Sequence, residues 1–314
     1  LGFSNKSKQN PILSKFVGLI KSPTVSRPDG GNEFTLGQVQ YCKSVIRNYK
    51  DHKKVTDLKF ISTPMEEHRK EEADDDEPGL EILVCRTFVG ALLYLVRGSR
   101  PDCFVVVLVL AKGVNKWTRR HDRLLERLMR YLNAFDDLTM SYVIYPSEAS
   151  VLSFRPIWDA DHAGMKMDTA KSVSGYGVWL KGPKSRGLLG WCAKFQGATA
   201  RNTTEAEITA GADCLCRLGF PLVTLAEDIW DRSIQMTCAT DNAAALPDIQ
   251  QGWSKSMRYL RKHQRVSLSL MSEALDAEFA SAEKVNTDEN EMDLLTKPLG
   301  AFKHWKHVEA LRMA

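Results

Sequence analysis

The stretch RPIWDADHAG, residues 155–164, sets two carboxylates, Asp159 and Asp161, between an apolar pair and a small-residue pair. Alternate residues of a strand point to the same side, so both acids share a face if this segment is a strand. On this motif alone two readings stay open, an acidic loop tip and part of a divalent-metal site. The second requires more carboxylates, and the chain has them at comparable structural punctuation. Glu207 lies in the first turns of the helix opening NTTEAEI, Asp241 ends the strand MTCATD, and Asp293 sits where NEMDLLTK enters the closing helical stretch. Strand ends and helix starts gather at one edge of an α/β sheet, so four acids can meet there. Crowded carboxylates resist ionisation together unless cations neutralise them, and oxygen-only ligands favour Mg²⁺ or Mn²⁺ over zinc.

The elements that must position these acids follow one another in the second half of the chain. FRPIWDADHAG, SVSGYGVWLKG and RGLLGWCAKFQ read as three consecutive strands with glycine-bearing turns. NTTEAEITAGADCLCRLGFPLVTLAED reads as one or two helices, capped by Thr203 or Thr204, with glutamates filling the first turn. IQMTCATDNAAAL is a strand running into a helix, SKSMRYLRKHQRVSLSLMSEAL a basic helix, DAEFASAEKV a strand, and the final helical stretch breaks at Lys297-Pro298. The order β-β-β-α-β-α-β-α predicts an α/β fold for residues 151–314.

The first half reads differently. Residues 1–33 read as an irregular leader, and FTLGQVQYCKSVIRNYK (34–50) reads as a helix. The charge run EEHRKEEADDDEPG (66–79) reads as a solvated linker. Two apolar segments flank a GSRPD turn, and KWTRRHDRLLERLMRYLNAF (116–135) is an amphipathic helix with its arginines opposite the leucines. The longest apolar run, CFVVVLVLA, falls short of the roughly 20 residues needed to span a bilayer and reads as a buried strand or helix. Residues 34–150 are therefore expected to form a smaller, mainly helical segment.

Composition excludes little. With 43% hydrophobic and 26% charged residues and a net charge of +4, the chain of 314 residues is an ordinary globular sequence, and only clustered charge would argue for nucleic acid. Seven scattered cysteines make neither a disulfide framework nor a zinc ribbon, so free thiols in a reducing compartment are expected. The chain starts with Leu and shows no signal-peptide pattern, so a piece of something longer is expected.

Taken in order, DADHAG, KSVSGYGVWLKG, GWCAKFQ, NTTEAEI, TDNAAAL and NEMDLLTKPL resemble the ribonuclease H domain of copia-type retrotransposon polyproteins over roughly residues 153–300. ISTPM, FVGALLYLV, SRPD and RLMRYLNAFDDL resemble the thumb and connection that end the same family's reverse transcriptase, which carries the likeness back to about Phe34. The resemblance implies a ribonuclease H-like mixed sheet flanked by helices. It implies two Mg²⁺ or Mn²⁺ ions held by Asp159, Glu207, Asp241 and Asp293, with Asp161 in the same rim behind Asp159. The implied reaction is hydrolysis of the RNA strand of an RNA/DNA hybrid during reverse transcription, leaving a 5′-phosphate and a 3′-hydroxyl.

Glu205 cannot share a helix face with Glu207 at 3.6 residues per turn, so Glu207 is the expected ligand and Glu205 serves the helix N-terminus. His162 stands where the family usually has Trp, which touches packing rather than the acids. Lys255, Arg258, Arg261, Lys262 and Arg265 are the expected phosphate contacts, set against a plain solvated face. The expected partners are the hybrid and the remainder of the polyprotein, without a membrane, and the expected location is intracellular, in a cytoplasmic particle or the nucleus. The pair Asp136-Asp137 falls at a helix-to-strand turn, so no polymerase site is expected within this chain. Two rival readings remain: a catalytically inert nucleic-acid-binding remnant, and an integrase-like nucleotidyl transferase.

Overall fold

A computed structural model of the chain describes residues 15–16, 18–162, 164, 171–252, 262–276 and 280–314. It opens with strands β1 (Lys15–Phe16), β2 (Leu19–Lys21), β3 (Val25–Ser26) and β4 (Asn32–Gly37). Over the described residues 15–16 and 18–33, short strands therefore replace the irregular leader expected over 1–33, whose residues 1–14 and 17 lie outside the described residues, and β4 takes the first residues of the helix expected from Phe34. Gly30, at φ +87°, closes the turn between β3 and β4, a conformation that costs glycine little. β4 then pairs antiparallel with a later strand, where Phe34 stacks on Tyr142 at 5.2 Å.

Helices α1 (Val39–Lys53), α2 (Cys85–Gly98), α3 (Phe104–Gly113) and α4 (Arg119–Ala134) follow, so the apolar run at 103–111 is helical. Asp136 and Asp137 lie in the turn between α4 and β5 (Met140–Ile144). Next come β6 (Ser153–Asp161), β7 (Val173–Lys181) and β8 (Arg186–Phe195), then α5 (Thr203–Cys214) and α6 (Phe220–Trp230). The chain closes with β9 (Met236–Thr240), α7 (Ala245–Gln251), α8 (Lys262–Asp276), β10 (Ala280–Lys284), α9 (Asp293–Thr296) and α10 (Ala301–Ala310).

Among the described residues the strands form one mixed sheet, ordered β1-β2-β4-β5-β8-β7-β6-β9-β10 with β3 on β4. β6, β7 and β8 are antiparallel, whereas β9 lies parallel to β6 and β10 parallel to β9. This is the expected α/β class, a mixed sheet flanked by helices. The sheet crosses residue 150, because Val143 of β5 pairs with Arg186 of β8.

Alternation along β6 divides its side chains between two cores. Phe154, Trp158 and Ala160 pack with Ile208, Ala212 and Met271 of α5 and α8, while Ile157 packs with Trp179, Leu188 and the apolar residues of α1–α4. The sheet is the middle of three layers.

α5 continues through a π-helical turn, Leu215–Gly219, into α6. The run Thr203–Trp230 is long and apolar enough to cross a membrane by length and composition, but α5 lies against β6 and β7 as a core helix. Its cap is Asn202, not the expected Thr203 or Thr204. Asn202 alone combines extended backbone with a side-chain oxygen that accepts the Glu205 N–H at 2.8 Å, while both threonines are already helical.

α5 approaches β6 closely because Gly211 has no side chain. A Cβ there would stand 2.8 Å from the Trp158 ring and 2.6 Å from the tip of Met271. Methionine can swing away, but a ring locked in the core cannot. Gly211→Ala should therefore lower unfolding stability by about 1–3 kcal/mol through overpacking. Denaturant unfolding checks this, and a loss below about 0.5 kcal/mol, within the range of neutral surface changes, would show that α5 has slack.

Candidate active site

β6 and β9 run parallel in register from Phe154↔Met236 to Ile157↔Ala239 and no further. Beyond that point β6 continues to Asp159 and Asp161, and β9 ends just before Asp241. A crevice at the carboxyl ends of parallel strands is where α/β sheets present ligand-binding groups. Here the Ala160 N–H donates to Glu207 Oε1 at 3.1 Å, which fixes the glutamate from α5 against the strand. Asp159, Glu207 and Asp241 each bring a carboxylate oxygen within 4.8 Å of the others. Asp159 and Glu207 are buried and Asp241 half-buried.

The fourth acid comes from the far side of the sheet. Asn290 donates to the Trp158 carbonyl at 3.0 Å and accepts the Met292 N–H at 3.2 Å, so the segment leading into α9 is tied to β6. Asp293, buried at the start of α9, binds Lys297 Nζ at 2.7 Å, and the same ammonium lies 3.8 Å from Asp159 Oδ2. Thr296 Oγ1 donates a short hydrogen bond to Asp159. Lys297 thus bridges Asp293 to Asp159.

The electrostatics follow from burial and repulsion. Burial pushes the Asp159 carboxyl up to about 7, with Lys297 opposing and the Asp293 charge adding to the rise. Glu207 is driven well above its ordinary range by burial and then by Asp159 and Asp241. Asp293 is raised mainly by burial, with Lys297 pulling the other way. Burial disfavours the Lys297 ammonium, yet Asp159 and Asp293 outweigh it and hold the lysine charged. Glu207 Oε2 is buried without a hydrogen-bond partner. A buried oxygen lacking a donor, beside two more carboxylates, fits a hard divalent cation.

The expected acids Asp159, Glu207 and Asp241 come together directly, and Asp293 joins through Lys297. Asp161 follows on the same face of β6, its carboxyl raised chiefly by burial. Glu205 serves the helix start, accepting the Arg201 N–H at 2.8 Å. His162 Nε2 donates to the Ala200 carbonyl at 3.1 Å, so this side chain ties the end of β6 to the segment before α5. Lys255, Arg258 and Arg261 fall outside the described residues, and Lys262 and Arg265 lie at the start of α8, where only the backbone is described. The sequence reading missed Asn290, Thr296 and Lys297. The signal was present: Lys297 follows Asp293 by four positions, the spacing at which helical side chains meet.

Between pH 3.8 and about 7 the folded protein keeps a proton on Asp159 that the unfolded chain has released. Stability therefore falls as pH rises through that window, and the full cost is present above it. Asp159→Asn should stabilise the metal-free protein at pH 8 by about 1–4 kcal/mol. The gain should shrink as pH drops toward 4. Thermal unfolding in EDTA across pH 4–8 reads both, and an advantage independent of pH would refute the account.

No family model matches the chain. Over 285 residues it is 25% identical to the retrovirus-related Pol polyprotein from transposon TNT 1-94 of Nicotiana tabacum, a match covering 87% of this chain. The chain spans about a fifth of that polyprotein's length, 20%. Over 122 residues, 39% of the chain, it is 33% identical to Secreted RxLR effector protein 161 of Plasmopara viticola, 80% of which is covered. Among solved structures, LC11-RNase H1, isolated from compost, aligns with 46% of this chain and 92% of its own at a TM-score of 0.33 and 15% identity. The same enzyme in complex with an RNA/DNA hybrid aligns with 46% of this chain and 94% of its own at 0.31 and 14%. The chain therefore belongs to one family with the Plasmopara protein over their shared 122 residues, and over 285 residues it is homologous to a part of a transposon's retrovirus-related Pol polyprotein.

Proposed function

We propose that the chain is the ribonuclease H part of a copia-type retrotransposon polyprotein and hydrolyses the RNA strand of RNA/DNA hybrids during reverse transcription. The observation that carries this reading is the set of three carboxylate oxygens within 4.8 Å, one of them from a glutamate whose other oxygen is buried and unpartnered. In this proposal residues 151–314 carry the nuclease, residues 34–150 are the thumb and connection of the reverse transcriptase, and the rest of the polyprotein supplies the polymerase.

Asp159, Glu207, Asp241 and Asp293 would hold two Mg²⁺ or Mn²⁺ ions. Ions held there would supply activation of water and stabilisation of the departing 3′ oxygen. The chain's own contribution is position and charge. Ala160 N–H and Thr296 Oγ1 aim the Glu207 and Asp159 carboxylates. Lys297 offsets the negative charge of Asp293 and Asp159, which lets the acids stay gathered before any ion arrives. Asp161 adds negative charge at the rim. The run Lys255, Arg258, Arg261, Lys262 and Arg265 supplies phosphate contacts in this reading.

The test is cleavage of a labelled RNA/DNA hybrid. Activity should appear with Mg²⁺ or Mn²⁺, vanish in EDTA, and fail with Ca²⁺. Removing a ligand should exceed the roughly 10–100-fold loss typical of groups that only support one. Asp159→Asn, Glu207→Gln, Asp241→Asn and Asp293→Asn should thus each cost more than about 100-fold. Glu205→Gln should keep its activity. Equal degradation of double-stranded DNA, or activity surviving EDTA, would overturn the reading. Neutralising Lys255, Arg258 and Lys262 should flatten the log–log salt dependence of hybrid binding by up to about 0.9 per lost contact. An unchanged slope would return that run to a solvated face.

A further inference from the structure

The acidic run 66–79 is not the solvated linker expected from its composition. It folds along α4, and the pairings run in opposite directions along the two segments. Arg123 meets Glu72 at 3.0 Å and Asp75 at 2.6 Å, Arg127 meets Glu66 at 2.6 Å and the Thr63 hydroxyl at 3.0 Å, and Arg130 donates to the Lys59 carbonyl at 3.0 Å. Residues 123, 127 and 130 recur at helical spacing, so these arginines make one row about 10 Å long.

The strap is held unequally. The Asp75 side chain, 8% exposed, takes both terminal nitrogens of Arg69 at 2.5 and 2.6 Å and the Glu72 N–H at 3.0 Å. The Arg69 hydrogen bonds hold its carboxyl well below the usual range, against burial. Backbone bonds from Arg119 to Glu77 and from Arg120 to Asp75 fasten that end to the start of α4. Glu66 and Glu72 are different, with side chains 44% and 54% exposed. Ion pairs at that exposure gain little and exchange readily for another anion.

Between strap and helix lies a groove of about 970 Å³. It passes the arginine row and reaches Gly164 and Pro298, the first three residues beyond Asp161 and the second next to Lys297. The groove therefore opens onto the rim of the carboxylate site. An arginine fork accepts a phosphate as it accepts a carboxylate.

We propose that this groove carries the sugar-phosphate backbone of a hybrid strand on its way past the carboxylates, and that Glu66 and Glu72 stand in for its phosphates until nucleic acid displaces them. Asp75 keeps the strap attached while its middle swings out. This inference rests on reading the carboxylate cluster as a hybrid nuclease, and the polyanion it names is the one that site would act upon.

The test measures binding of an RNA/DNA hybrid to the full chain in Ca²⁺, alongside cleavage in Mg²⁺. The double variant E66Q/E72Q should bind the hybrid several-fold more tightly, because Arg127 loses its carboxylate partner and Arg123 loses one of its three, keeping Asp74 and Asp75. The control D228N/D231N removes the same charge from the exposed end of α6 and should stay within about twofold of the parent. Hydrogen exchange over residues 66–73 should quicken when hybrid binds, while exchange at Asp75 and Glu77 stays slow. Equal affinities for the two doubles, or a strap whose protection ignores the hybrid, would overturn the proposal and leave the strap a structural brace. A parent that shows the strap effect yet cleaves no hybrid would support the groove and sink the nuclease reading. Cleavage without any strap effect would sink the groove alone.

Discussion

The mutual repulsion of buried carboxylates governs this molecule. Asp159 and Glu207 are almost without solvent, and Asp241 stands close enough to share a cation with them. Water cannot screen charges placed so, and their separation cannot grow, because β6, β9 and α5 are locked by the sheet and by the contact at Gly211. The repulsion is answered by Lys297, a cation supplied from within the chain, and by proton uptake on the acids themselves. A cluster kept gathered in this way is preorganised, with its carboxylates already in place and no rearrangement needed to bring them together.

The lysine's position depends on the half of the chain that holds none of the four clustered carboxylates. α9 is only four residues long, Asp293–Thr296, and cannot hold itself in place. Leu294 and Leu295 sink into a core shared with α2, α3 and α4, and α10 beyond is fixed by a buried polar network. In that network Arg100 binds Asp102 through two nitrogens at 2.9 and 2.7 Å, and Tyr131 donates to Asp102 at 2.9 Å while lying 2.9 Å from His304. A buried ion pair adds little net stability, but breaking one partner leaves a stranded charge. The network specifies where the last helix sits more than it strengthens the fold.

The sequence was legible where local pattern and global placement agree. The strands holding Asp159 and Asp241 alternate or end in recognisable ways, and the helix carrying Glu207 starts at a run of capping residues. What escaped was decided across long separations. β4 and β5 depend on pairing between segments about 110 residues apart, which no local period reveals, and β2 and β3 form on β4 once it is placed. Asn202 does not stand out as the cap because either threonine after it satisfies the same composition rule. The acidic run at 66–79 looked solvated because its partners, the arginines of α4, lie about 50–60 residues away in the sequence. Asn290, Thr296 and Lys297 have side chains common in loops and at helix ends, and only contact with Trp158 and Asp159 gives them meaning.

The three-layer arrangement also bears on modularity. One wall of the central sheet, built from Ile157, Trp179, Leu188 and Ala193, is roofed in large part by helices that precede residue 150, with α9 and α10 completing the cover. Trp191 of β8 gives its indole N–H to the Val96 carbonyl of α2 at 2.8 Å. A polypeptide severed at residue 150 would keep all four acids and still present an oily wall to water, with β8 as a bare sheet edge. Such surfaces are covered by self-association, so the excised half would be an aggregation-prone body rather than a portable domain.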